Sequence, residues 1–97
     1  MVSTLRKPDL ESVSNPDTLV MILRGLYDNL RPSGALLVAP TLQTATDHRA
    51  LLVCLTKFYG AAYILGAKNL PRPTSSTVDS VEELLPFLVK LYDAVTP

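Results

Sequence analysis

The chain has 97 residues, and its nine basic and nine acidic side chains cancel to a formal net charge of zero. That length makes one domain with a thin core, and the cancelled charge leaves no long-range field to gather phosphate backbones or anionic lipid. A single cysteine, Cys54, and a single histidine, His48, exclude an internal disulfide and leave a zinc site without its ordinary ligands.

The first residues carry Arg6 and Lys7 but no following apolar run, so they do not read as a secretory signal. Residues 1–14 are polar and contain Pro8 and several serines, which predicts an arm ordered only where it docks. Residues 15–97 form the single folded domain. Asn15-Pro16-Asp17 is a helix start: Asn15 caps free N–H groups, Pro16 suits the first helical position and Asp17 complements the positive end of the dipole. Leu19, Ile22, Leu23, Leu26, Tyr27 and Leu30 then recur at three- and four-residue spacing, predicting an amphipathic helix over 16–30 that ends at Arg31-Pro32-Ser33-Gly34.

Gly34 to Pro40 is a short apolar run between two breakers, and periodicity alone does not separate a buried strand from a helical turn there. The conformation of 34–43 therefore stays open. Together with the helix before it, Leu30-Arg31-Pro32-Ser33-Gly34-Ala35-Leu36-Leu37-Val38 resembles the helix, turn and strand of class I methyltransferases, in which a leucine-rich helix ends in a Pro-Gly-Gly turn and enters a buried strand. Ser33 stands at the first glycine of the usual pair, and no glycine-rich S-adenosylmethionine loop precedes it. The resemblance thus implies a degenerate, inactive fragment and carries over no catalytic residue.

Thr44, Thr46 or Asp47 can cap a segment running to about Leu65 that is apolar on nearly every side and interrupted only by Thr56 and Lys57. Such a helix is a buried centre or a membrane span. The uninterrupted part falls short of the roughly 20 residues a bilayer requires and Lys57 lies in its middle, which points to the first. Gly60, Ala61, Ala62 and Gly66 suggest a crowded helix crossing. Residues 67–77 contain Pro71, Pro73 and four hydroxyl side chains and read as a connector. Ser80-Val81-Glu82-Glu83 matches a capping box, and Pro86 is expected to kink or restart the last helix, whose apolar face is Phe87, Leu88, Leu91, Tyr92 and Val95.

The fold expected is an all-α bundle of three to four helices around an apolar central helix. Its competitor is a small α/β unit in which 35–39 and 61–65 are parallel strands, an arrangement that leaves edges and faces poorly covered in so short a chain.

No catalytic, cofactor-binding or metal-binding set emerges. His48 and Cys54 lie six positions apart and project from different sides of one helix, so they do not form a nucleophile and base. Glu82 and Glu83 are adjacent and do not face each other, and Gly25, Gly34, Gly60 and Gly66 are too scattered for a phosphate loop. The chain is therefore read as a non-enzymatic interaction or assembly protein, cytoplasmic or within an intracellularly assembled particle. Its apolar helical surface meets copies of itself or a larger protein complex, without a membrane span or cofactor. The charges offer a second reading. Asn29 to Val78 carries Arg31, Arg49, Lys57, Lys68 and Arg72 against Asp47, followed by an acidic end with Asp79, Glu82, Glu83 and Asp93. Interleaved with Phe58, Tyr59 and Tyr63, the residues Arg49, Lys57, Lys68 and Arg72 would form the nucleic-acid surface of a nucleoprotein or coat subunit.

Overall fold

The computed structural model describes residues 7–95. They form α1 (Leu10–Ser14), α2 (Pro16–Leu30), a 3-10 turn at Arg31–Ser33, α3 (Leu42–Thr46), α4 (His48–Ile64), α5 (Ser75–Asp79) and α6 (Val81–Val95), with no strand among the described residues. The all-α expectation therefore holds in its coarse form, and the α/β competitor does not: residues 61–64 continue α4, and 35–39 pair with no other segment. The strand implied by the methyltransferase resemblance is absent for the same reason.

Three of these helices are long, and the other three are single turns of five residues. The long ones, α2, α4 and α6, all touch one another. From α2 come Ile22, Leu23, Leu26 and Leu30, from α4 Leu51, Leu55 and Phe58, and from α6 Leu88 and Leu91, each almost wholly removed from solvent and joined in one cluster. Burying a side chain of this size contributes about 1.5–3 kcal/mol, so these nine make up a large part of the favourable side of folding.

Each single-turn helix opens with the same device. The residue three positions into the turn is a hydroxyl that accepts the amide of the cap residue: Ser12 from Asp9 at 3.0 Å, Thr44 from Thr41 at 3.1 Å and Thr77 from Thr74 at 3.0 Å. This is the capping box with serine or threonine in place of glutamate. It begins a helix that only packing sustains, because five residues lie far below the length of a self-supporting helix. Thus α1, the described part of the polar arm, lays Ser12 and Val13 into the interior against α2 and α6. Residues 1–6 of that arm lie outside the described residues.

Of the three caps the sequence offers for the segment running to about Leu65, the last is used: the Asp47 carboxylate accepts the Arg49 amide at 3.0 Å and starts α4. Its far end is a Schellman turn: Gly66 adopts φ +110°, its amide reaches the Tyr63 carbonyl at 3.0 Å, and the Ala67 amide reaches the Ala62 carbonyl at 2.9 Å. Gly66 is therefore a helix stop, not part of a crowded crossing. Gly60 is not crowded either, since a methyl group built there would meet nothing within 4 Å; only Ala61 and Ala62 are buried. In α6 the Ser80 hydroxyl caps the Glu82 amide at 3.1 Å, and the helix neither breaks nor restarts at Pro86. Pro86 lies on the exposed side, where water can reach the Glu82 carbonyl that loses its partner.

The Leu55 side chain is fully enclosed between the long helices. Leu55→Ala is expected to lower stability by about 2–5 kcal/mol, read as an earlier urea midpoint with little change in slope.

A candidate docking groove

Between α2 and α3 the chain runs from Gly34 to Pro40 without turn or bend. Its start is set by Gly34, which takes φ +81° and donates to the Arg31 carbonyl at 3.1 Å, a conformation that favours glycine. Its end is set by Pro40, which is buried and whose carbonyl accepts from Arg24 Nε at 3.2 Å. Between these anchors Ala35 and Leu37 turn towards the core, while Leu36 and Val38 point outwards with 91% and 70% of their surface exposed.

This segment stands off α4 and leaves an open groove of about 370 Å³. Phe58 reaches it from the core, Val38, Val53 and Cys54 add apolar wall, and Asp47, Arg49 and Lys57 supply exposed charges of both signs. The helix that is apolar on nearly every side is therefore open along one of them. Val53 and Ile64 are more than half exposed, and Ala50, Val53, Lys57, Gly60 and Ile64 follow one another at alternating three- and four-residue spacing along the open side.

Of the four cations expected to share a nucleic-acid surface, the structure brings two together. Arg49 and Lys57 line this groove, whereas Lys68 lines a second one, of about 400 Å³, with Lys90 and Asp93 from α6. Lys68 Nζ sits 5.8 Å from the centre of the half-exposed Tyr63 ring. Arg72 is exposed in the connector and lines neither groove.

His48 and Cys54 are separated, as their spacing predicts: Cys54 faces the groove, and His48 Nδ1 lies 3.6 Å from an Asp79 carboxylate oxygen. That pair is about two-thirds exposed, and neither member lines a groove described here. No three His, Cys, Asp or Glu side chains converge as metal ligands among the described residues, and no helix among them is long and apolar enough to cross a membrane. The groove itself was not visible in the sequence, because it exists only where residues 37–39 run beside α4. The one trace of it is the absence of any charge between Arg31 and Asp47.

Burial pushes the Cys54 thiol from an ordinary value of 9.0 up to about 12, with Lys57 pulling more weakly the other way. Cys54 is a poor nucleophile at neutral pH, where almost none of it is thiolate. Comparison with family models, with curated proteins and with solved structures finds no match to this chain.

Two measurements follow from the Cys54 environment. Iodoacetamide is expected to alkylate the folded protein at pH 8 far more slowly than the urea-unfolded chain. Because the folded value lies above the unfolded one, the thiol's contribution to stability is complete below pH 9 and is lost as pH rises towards 12. The alkaline loss of stability should therefore be smaller in Cys54→Ala, as followed by urea titrations at increasing pH.

Proposed function

We propose that the chain is a non-enzymatic interaction or assembly protein that associates through the apolar surface around α4. The observation that carries this reading is the groove between α4 and residues 37–39, where Val38 and Val53 are exposed beside buried Phe58, with exposed Leu36 next in the chain. Single exposed apolar residues are ordinary on any protein, but a contiguous set beside a concave apolar wall with charges at its edge has the composition of an interface. On this reading α4 plays two parts: one side closes the core of its own domain, and the other meets a partner. The muted Cys54 and the separation of His48 from it favour recognition over chemistry.

Equilibrium sedimentation of the full chain tests this. The expected result is an average mass that rises with protein concentration through the micromolar range and persists at raised salt, because apolar burial dominates it. A single monomer at every concentration would count against self-association.

A second reading, a nucleic-acid-associated subunit, draws on the exposed Lys68–Tyr63 pair, in which a cation and a ring lie together at the surface as a backbone-and-base contact requires. It calls for affinity for single-stranded nucleic acid whose logarithm falls against log salt by about 0.7 for each phosphate engaged. Lys68→Ala would then reduce that slope, and binding that ignores salt, or no binding, dismisses this reading.

A further inference from the structure

The face formed by residues 35–39 and the neighbouring groove carries both halves of a contact. Leu36 projects from it with nearly all of its surface exposed, and Val38, Val53, Cys54 and Phe58 form an apolar hollow. The charges at its edge are likewise of both signs, with Asp47 against Arg49 and Lys57. A surface that holds projection and hollow, and acid and base, side by side meets the requirement of a two-fold contact, in which one patch must complement itself.

The backbone leads to the same occupant. No backbone hydrogen bond ties residues 36–39 to another segment among the described residues, and the stretch runs without turn or bend, with the side chains of Ala35 to Val38 alternating inwards and outwards. Proteins that keep such an edge single commonly blunt it with charge or proline. Here Ala35 to Ala39 contains neither, and no charged residue lies between Arg31 and Asp47. Identical segments placed antiparallel are related by a two-fold axis, the symmetry that the side chains call for.

We infer that the occupant is a second copy of this chain. Residues 35–39 of the two copies pair antiparallel, Leu36 of each enters the groove of the other, and Asp47 at one edge faces Lys57 or Arg49 at the other. This rests on the reading of the chain as a self-associating protein and names the surface that does it.

The test measures the dimerisation constant of the full chain by sedimentation, for the wild type, for Leu36→Asp/Val38→Asp and for Leu10→Asp. Both groove-side residues are exposed in the single copy, so the double substitution leaves the fold intact by circular dichroism, and the expected result is dimerisation at least about tenfold weaker. Leu10 is also exposed but lies on α1, which packs against α2 and α6 and not α4; its substitution is expected to have no effect. Should the double variant misfold, Lys57→Glu replaces it, leaving Arg49 as the only cation at the groove edge and weakening dimerisation in the same direction. A photoreactive benzophenone at position 36 of the purified protein is expected to cross-link to the 50–58 peptide of another copy. A wild type that stays monomeric overturns the self-association reading and this inference with it. A wild type that dimerises equally well after the groove substitutions, or that cross-links elsewhere, overturns this inference alone.

Discussion

The packing of α4 against α2 and α6 is the constraint on which the rest of the molecule depends. Leu51, Leu55 and Phe58 occupy the space between the other two long helices, and Ala61 and Ala62 bring its last turns close to its neighbours. A domain of this size has one interior, and that interior accepts one side of α4. Since α4 is apolar well beyond that side, the surplus emerges at the surface, where Val53, Tyr63 and Ile64 are found. The open groove is thus a geometric result of placing an over-apolar helix in a small bundle, and residues 36–39 shape it without filling it.

Elements with local signals could be read directly from the sequence. Asn15, Pro16 and Asp17 locate the start of α2, and Asn15 does accept the Asp17 amide at 2.9 Å; its periodic leucines then place its buried face. The break at Asp47 was only partly legible, because Thr44, Thr46 and Asp47 all suit a cap and the choice depends on where α3 meets α2 and α4. The one-turn helices α1 and α5 escaped for another reason. Their boxes use Ser12 and Thr77 where a glutamate would be the familiar sign, and helices of one turn have no periodicity to detect.

The groove is less legible still, because it depends on contacts between distant parts of the chain. That Arg49 and Lys57 would share a groove with Val38 follows from the path of residues 34–40, itself fixed by Gly34 at one end and by Arg24 holding the Pro40 carbonyl at the other. Neither a composition rule nor a helical wheel contains that path. By contrast, the separation of His48 from Cys54 could be foreseen, as it needs only the angular spacing of one helix. Local geometry was enough to place those two side chains apart, whereas the groove required the tertiary fold.

The docking of α1 has a consequence for the order in which the molecule assembles. This short helix rests on α2, its neighbour in sequence, and also on α6, more than sixty residues further along the chain. A single turn has little tendency to form alone, and the loop that must close to bring it to α6 spans most of the protein. It acts as a clasp fastened after the three long helices have met, and the same reasoning makes it the first piece to come undone when the native state breathes.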